Sequence, residues 1–341
     1  MSTGPAKGIL DTIGRTPLVE LDGLMRGSGF RVFAKVERFN PGGSIKDRSG
    51  LNMLLGKIRS GELIPGLSVV VESSSGNLAI GMAQICRYFG LQFICVVDAK
   101  TTTQNLAILR AYGATIEMVS VPEPDGEYLP ARIRRVKELL AANPYAYSPN
   151  QYANPLNPAA HEETMREVVD ALDGEVDYLF SPASTCGTMT GAGAYIRKHG
   201  LSTKLVAVDA VGSVLFGDAS AKRLIPGHGA SIVPPLLDRS LPDEVVHVSD
   251  LECVVGCRRL VATEAILAGG SSGAAVSALA RIKDRIEPGA NCVLVFPDGG
   301  DRYLDTIYSD EWVHRNFGEV SHLWEAPDTT GTTDTAGAVR C

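Results

Sequence analysis

One lysine in this sequence stands where covalent catalysis by an amine is expected. Lys46 lies in the segment NPGGSIKDR, residues 40–48, in which a proline and two glycines form a tight turn directly ahead of a predicted helix. In the first helical turn the helix dipole disfavours a cation, so the neutral amine that Schiff-base chemistry needs is favoured. Taken alone, such a segment is more often an ordinary surface lysine that follows a turn.

A serine-rich segment forms a second candidate site. In ESSSGNLAIGMA, the end of a predicted strand is followed by Ser74, Ser75, Gly76 and Asn77 and then by an apolar helix. Hydroxyl and backbone N–H groups at the start of a helix can bind a carboxylate. The same residues also fit a plain N-cap, which is the commoner arrangement.

A third segment, SPASTCGTMTGAG, has the composition of a phosphate-binding turn. Between the predicted strand VDYLF and a helix of small residues it places Ser184, Thr185, Cys186, Gly187 and Thr188. Backbone N–H groups, hydroxyls and a helix dipole together bind phosphate. The segment is neither a Walker loop nor a GxGxxG motif, and a well-capped turn fits it equally well.

A fourth segment, AGGSSGAAV, opens another helix with small residues. Its Ser271 is either a helix cap or a hydroxyl that faces a heterocyclic nitrogen. Nothing in the local sequence decides between these two interpretations.

Alternating strands and helices connect the four segments. Short apolar runs rich in Val, Ile and Phe are typical of strands that are covered on both faces. The predicted strands are RVFAKVE, LSVVVES, QFICVVD, TIEMVS, DYLFSPA, KLVAVDA and NCVLVFPD. The predicted helices cover residues 46–60, 78–89, 104–112, 128–142, 161–171, 189–199, 250–268 and 274–286. This alternation predicts an α/β fold with two mostly parallel, twisted sheets covered by helices.

The composition of the 341-residue chain argues against several classes of protein. A net charge of −7 argues against nucleic acid and anionic membranes as partners. Hydrophobic residues at 45% indicate a large core, and no apolar run is long enough to cross a membrane. The N-terminus lacks the features of a signal peptide, so we expect a cytoplasmic protein. Most of the seven cysteines lie in apolar segments; Cys253 and Cys257 lack further ligands, so no metal site is predicted.

Together, in this order and at this spacing, the four segments resemble the cysteine synthase and cystathionine β-synthase family of pyridoxal 5'-phosphate (PLP) enzymes, fold type II. The resemblance covers essentially residues 5–310. It implies a large PLP-binding domain over residues 1–44 and 152–325, a small mobile substrate-binding domain over residues 45–151, and an active site between them. It also implies a homodimer that acts on small amino acids. Residues 326–341 are small and polar, and we predict a flexible tail there.

The resemblance also assigns roles to individual residues. Lys46 would bind PLP covalently and take the Cα proton of the substrate. Ser271 would face the pyridine nitrogen, and Asn77 would reach the phenolic oxygen of PLP. The PLP phosphate would lie in the loop of Ser184, Thr185, Cys186, Gly187 and Thr188. The substrate carboxylate would be bound by Ser74, Ser75, Gly76, Asn77 and Gln151.

Departures from the cysteine synthase pattern resemble one branch of the family. Leucine and alanine follow Asn77, where cysteine synthases usually carry threonine and glycine, and Ser184 stands where they carry glycine. Members of that branch join O-phospho-L-serine to L-glutamate, on the way to 2,3-diaminopropionate for siderophores or peptide antibiotics. A dianionic phosphate leaving group needs more donors than an acetyl ester does. Ser184, Arg132 and Tyr152 are the candidates for these donors.

Two alternatives are open at this point. A cysteine synthase that combines O-acetylserine or O-phosphoserine with sulfide belongs to the same class. The other alternative, from a different class, is a binding protein on the same fold that has no catalytic activity. Such a protein would not need Lys46, so the presence of this lysine argues against it. Arg132 also fits a solvated helix face beside Arg134, Arg135 and Lys137.

Overall fold

The structure, a computed structural model, describes residues 4–123 and 128–324. Its strands are β1 (Leu18–Glu20), β2 (Arg31–Val36), β3 (Val69–Ser73), β4 (Gln92–Asp98), β5 (Thr115–Val119), β6 (Ala146–Tyr147), β7 (Tyr178–Pro182), β8 (Lys204–Ala210), β9 (Glu244–Val248) and β10 (Asn291–Phe296). Its helices are α1 (Lys46–Arg59), α2 (Asn77–Phe89), α3 (Thr103–Ala111), α4 (Leu129–Ala142), α5 (Leu156–Ala171), α6 (Gly187–His199), α7 (Asp250–Glu264), α8 (Gly270–Ile282) and α9 (Asp310–Phe317). Within the described residues, no helix has the length and apolarity needed to span a membrane.

The larger sheet has six strands in the order β1-β2-β10-β7-β8-β9. β1 is antiparallel to β2, and the other neighbouring pairs are parallel. Because β2, β7 and β10 run in the same direction, the loops that follow them meet at one edge of the sheet. These loops lead to Lys46, to residues 184–188 and to Asp298.

The smaller sheet has four parallel strands in the order β5-β4-β3-β6. The serine-rich segment directly follows the carboxyl end of β3. Helices cover both sheets, which confirms the predicted α/β class of fold. The predicted domain boundaries stay a prediction, and the predicted tail lies outside the described residues.

The central strand β10 shows why a continuous apolar run marks a doubly covered strand. All six of its residues are buried. Cys292, Leu294 and Phe296 pack in one cluster with residues of α7 and α8, whereas Val293 and Val295 pack on the other face with residues of α5 and α6. Because both faces need apolar side chains, the alternation of a half-exposed strand is absent.

Three strands, one helix and several helix ends differ from the sequence prediction. β1 and β6 have three and two residues, too few for a periodic signal, and β9 and α9 were also not predicted. α5 begins at Leu156 rather than at residue 161. Pro158 does not prevent this earlier start, because it lies in the first turn, where a helix tolerates proline. α7 ends at Glu264 rather than at residue 268, because Ala265 takes a left-handed φ of 55°.

The start of α8 also corrects a prediction. The helix begins at Gly270 rather than at residue 274, although glycine disfavours helices. A Cβ at Gly273 would overlap the Cys253 carbonyl of α7, and one at Gly256 would overlap the Gly273 carbonyl. The glycines therefore allow α7 and α8 to touch backbone to backbone, and this packing outweighs their low helix propensity.

A buried ion network fixes α1 to the larger sheet. Arg48 of α1 pairs with Glu37 and with Glu167 of α5, each at 2.7 Å, and Lys35 of β2 pairs with Glu167 at 2.6 Å. The two cations balance the two carboxylates, and loss of one member would leave an unpaired buried charge. Lys46 lies two residues before Arg48, so the network also fixes the position of the lysine.

Candidate active site

The four segments that the sequence singles out each begin a helix, and the structure brings them together. The helices begin at Lys46 for α1, Asn77 for α2, Gly187 for α6 and Gly270 for α8. Asp298 links three of them: its carboxylate accepts a hydrogen bond from Asn77 Nδ2 at 2.7 Å, its carbonyl accepts one from the Gly269 N–H at 3.2 Å, and its charge acts on Lys46. These three segments therefore belong to one site, and Cys186 of the remaining segment lies close enough to act on Lys46 as well.

Lys46 is half-buried in the first turn of α1, as predicted. Loss of hydration lowers the pKa of its amine, and the charges of Asp298, Cys186 and Glu37 oppose this shift. A lowered pKa increases the fraction of neutral amine at physiological pH. The neutral amine can bond to a carbonyl carbon or accept a proton.

The start of α2 offers free donors. The helix has no side-chain cap, and no acceptor within the described residues binds the backbone N–H groups of residues 77–79. Cys95 Sγ donates a hydrogen bond to the Ser74 carbonyl at 3.0 Å, and Asn105 Nδ2 donates one to the Ser75 carbonyl at 2.9 Å. A loop anchored by its carbonyls can direct hydroxyl and N–H groups at a carboxylate.

Gln151 is buried and fixed to the same region through Asn157. Asn157 donates from Nδ2 to the Gln151 carbonyl at 2.8 Å and accepts at Oδ1 from the Ser49 hydroxyl at 2.8 Å. A Cβ at Gly187 would overlap the Asn157 amide, so glycine is required where α6 begins. One buried amide therefore connects α1, Gln151 and the phosphate-binding segment.

The third segment fits a phosphate better than it fits a capped turn. α6 has no side-chain cap, and no acceptor in the described part of the chain binds the backbone N–H groups of residues 187–189. Cys186 takes a left-handed φ of 65°, an uncommon backbone conformation for a non-glycine residue. Thr185 is buried and Thr188 is half-buried beside these free donors. The arrangement provides N–H groups, hydroxyls and the positive end of a 13-residue helix to one anion.

Two neighbouring serines open α8. Ser271 is 8% exposed and Ser272 is fully buried. Neither hydroxyl has a hydrogen-bond partner within the described ranges. Buried hydroxyls normally find a partner, so a ligand with an acceptor nitrogen fits here. The role of Ser271 at the pyridine nitrogen stays a prediction, and the sequence did not single out Ser272.

Arg132 is mostly buried rather than part of a solvated helix face. It is 12% exposed and pairs with Asp98 at 3.3 Å, whereas Arg134, on the same helix, is 61% exposed. Its Nε and Nη1 atoms make no hydrogen bond within the described residues. Burial raises the pKa of the Tyr152 hydroxyl and the Arg132 charge opposes this shift, so the two side chains are close. Ser184 is half-buried in the separate loop after β7.

Several polar residues of the site escaped the sequence analysis. Glu72, the penultimate residue of β3, and Asp98, the last residue of β4, lie beside Arg132, and burial raises the pKa of Glu72 to about 7. Asp298 follows β10. All three acids follow a run of apolar strand residues, and that signal could have found them. Arg302 and Asn157 carry no comparable signal.

Comparison with known proteins agrees with this geometry. A family model described as pyridoxal-phosphate dependent enzyme matches residues 9–298. The N-(2-amino-2-carboxyethyl)-L-glutamate synthase of Ralstonia nicotianae is 48% identical over 311 residues, which cover 91% of this chain and 92% of that protein.

Solved structures of similar proteins have the same fold. O-ureido-L-serine synthase is 31% identical with a TM-score of 0.83, and the match covers 93% of this chain and 98% of that chain. The O-acetyl serine sulfhydrylase isoform 3 of Entamoeba histolytica is 33% identical with a TM-score of 0.84, and the match covers 90% of this chain and 93% of that chain.

Proposed function

Because the chain belongs to the family of pyridoxal-phosphate dependent enzymes, we propose that it joins O-phospho-L-serine to L-glutamate. The products would be N-(2-amino-2-carboxyethyl)-L-glutamate and phosphate, the first as a precursor of 2,3-diaminopropionate for siderophores or peptide antibiotics. The observation that carries this proposal is the 48% identity to a synthase of that name over nearly the whole of both chains. A homodimer in the cytoplasm belongs to the same proposal.

The residues at the site fit PLP. The free N–H groups of α6 and the hydroxyls of Thr185 and Thr188 would hold its phosphate, Lys46 would bind it covalently, and Ser271 would face its pyridine nitrogen. When bound, PLP withdraws electrons from the Cα of an amino acid, which acidifies the Cα–H and allows a group on Cβ to leave. A serine hydroxyl is neutral, so it does not stabilise a protonated pyridine as a carboxylate would, and this favours elimination over transamination.

Lys46 is the residue that would move protons. Once the amino group of phosphoserine has displaced Lys46 from the cofactor, the neutral amine of this lysine, favoured by desolvation, would take the Cα proton of phosphoserine and later return a proton to Cα. Between these steps the Cβ–O bond would break and its electron pair would leave with phosphate. The amino nitrogen of glutamate would then form the Cβ–N bond and release its surplus proton to solvent. Residues 74–77 and Gln151 would hold the carboxylate of the donor and so orient Cα toward Lys46.

Arg132 would supply the recognition of an additional anion. Nε and Nη1 of this guanidinium make no hydrogen bond within the described residues, which favours a phosphate or carboxylate that would accept hydrogen bonds from them. Phosphoserine carries one such anion, its phosphate, beyond the carboxylate that the serine-rich loop would bind, and glutamate adds two carboxylates. O-acetylserine and sulfide add neither a phosphate nor a further carboxylate.

The test is mass spectrometry of the products made by the purified holoenzyme. Phosphoserine with glutamate should give N-(2-amino-2-carboxyethyl)-L-glutamate, with one phosphate released for each product formed. O-acetylserine with sulfide should react far more slowly. Efficient formation of cysteine with no product from glutamate would refute the proposal and would favour a cysteine synthase; one structural neighbour, from Entamoeba histolytica, is an O-acetyl serine sulfhydrylase.

A further inference from the structure

Arg302 lies between the two helix starts that carry Lys46 and Asn77. Its Nη2 donates to the Gly42 carbonyl at 2.7 Å, in the turn before α1, and its Nη1 donates to Asn77 Oδ1 at the start of α2. A guanidinium has donors in a rigid fork, so one side chain can bind both acceptors at once. Arg302 therefore joins two segments that are more than thirty residues apart in the sequence.

Asp298 completes the fixation of Asn77. Its Oδ2 accepts from Asn77 Nδ2 at 2.7 Å and from the Tyr303 hydroxyl at 2.6 Å. The Asn77 amide thus has a cationic donor at its oxygen and a carboxylate acceptor at its nitrogen. Rotation of the amide by 180° would place donor against donor and acceptor against acceptor, so only one orientation is compatible with these neighbours.

The same loop also supports the segment before Lys46. The Ile45 N–H donates to the Pro297 carbonyl at 2.8 Å, and the backbones of Ser44 and Asp298 form an isolated antiparallel β-bridge. The positive charge of Arg302 acts on Asp47 and Asp298, two buried carboxyl groups. Asn77 retains one N–H on Nδ2 after its bond to Asp298, and this N–H is available to a ligand.

We propose that Arg302 is a positioning residue that holds the Asn77 amide in one orientation and at a fixed distance from Lys46. The loop over residues 297–303 thereby sets the geometry between the lysine and the amide that faces the cofactor. This inference rests on the proposed role of Asn77 and is independent of the identity of the substrates.

The experiment compares Arg302→Gln, Asn77→Ala and the double variant, each as holoenzyme. Arg302→Gln removes the cation and the fork but keeps a polar side chain. Arg38→Gln is the matched control, because Arg38 also binds a backbone carbonyl, that of Leu267 at 3.0 Å, and the neighbouring Asp301, without touching Asn77. The readouts are the visible absorption spectrum of the bound cofactor across pH, loss of cofactor during dialysis, thermal unfolding and kcat/KM.

Arg302→Gln and Asn77→Ala should change the cofactor spectrum in the same direction and should each lower kcat/KM by about 10- to 100-fold, as expected for a lost hydrogen bond to a charged group. The double variant should be no worse than the more affected single variant, because both changes break one interaction. Arg38→Gln should keep the parental spectrum. Arg302→Lys, which keeps the charge but not the fork, should lie between Arg302→Gln and the parent.

Three results would overturn the proposal. The first is a spectrum of Arg302→Gln that matches that of Arg38→Gln. The second is a double variant whose losses multiply, which would mean that Arg302 does not act through Asn77. The third is an Asn77→Ala variant with parental spectrum and kinetics, which would show that Asn77 has no role at the cofactor. The identity of the substrates would still be tested separately, by mass spectrometry of the products. If Arg302→Gln unfolds early, the spectrum and kinetics of Arg302→Lys decide by the same criteria.

Discussion

Replacement of Arg132 by lysine separates recognition of an anion from stability of the fold. Arg132→Lys keeps a positive charge beside the buried Asp98 and Glu72 carboxyl groups, so neither is left without a cation. It removes the planar fork of N–H donors, of which Nε and Nη1 make no hydrogen bond in the described part of the chain, although Nε lies 3.3 Å from Asp98. We therefore expect a loss of substrate recognition in a protein that still folds and binds PLP.

The magnitude follows from the number of hydrogen bonds lost. One hydrogen bond to a charged group at a buried site is worth about 1.5–3 kcal/mol. At about 1.4 kcal/mol for each factor of ten, kcat/KM should fall about 10- to 150-fold. The loss should appear for whichever anion Arg132 binds, phosphoserine or glutamate, and not for O-acetylserine with sulfide.

The assay measures kcat/KM for each substrate at a saturating concentration of the other. Arg134→Lys, at an exposed position of the same helix, is the control and should retain parental kinetics. Thermal unfolding of both variants checks that the fold is intact. If Arg132→Lys has parental kcat/KM for phosphoserine and for glutamate, the guanidinium contacts neither substrate and the reasoning fails.

Three further predictions concern the same site. Lys46→Ala should abolish turnover and covalent attachment of the cofactor; borohydride reduction of the parent followed by peptide mass spectrometry should label Lys46, and a label on another lysine would contradict the assignment. Ser184→Gly and Tyr152→Phe should each weaken the preference for phosphoserine over O-acetylserine in kinetic competition but retain PLP; parental preference in both would place donor selection elsewhere. Burial raises the pKa of Glu72 from 4.5 to about 7, so the stability that its protonation contributes is present below about pH 4.5 and is lost as the pH rises to about 7. Glu72→Gln should therefore flatten thermal stability over that pH range, whereas Glu62→Gln, at an exposed carboxylate, should leave this part of the profile unchanged.

The local part of the site could be predicted from the sequence because its signals are local. A proline and two glycines before Lys46, and small residues before Asn77, Gly187 and Gly270, each mark a turn that leads into a helix. The structure begins the first helix at the predicted residue, Lys46, and the other three helices one, two and four residues before their predicted starts. The strands that carry these turns were visible as apolar runs, because strands covered on both faces are rich in apolar residues.

The contacts that hold the site together could not be read from the sequence. Arg302 bonds to Asn77 across 225 positions, and Ser49 bonds to Asn157 across 108. No periodicity connects residues at such separations, and an arginine or asparagine in a loop is ordinary in composition. The burial of Arg132 could not be predicted for a related reason, since nearby residues of the same helix are exposed cations. Only the packing of α4 against β3 and β4 shows that Arg132 points inward.

The order of strands in the two sheets constrains how the chain can fold while it is being synthesised. The four strands of the smaller sheet all come from one stretch, residues 69–147, so this sheet can assemble as soon as that stretch has left the ribosome. In the larger sheet β10 lies between β2 and β7, so β2 has no parallel neighbour until residues 291–296 have been made. Until then, the apolar residues of β2 lack the strand that lies beside them in the native sheet. The nascent chain must therefore keep its first long strand from pairing wrongly while some 250 further residues are added, and this interval is when a chaperone would be most needed.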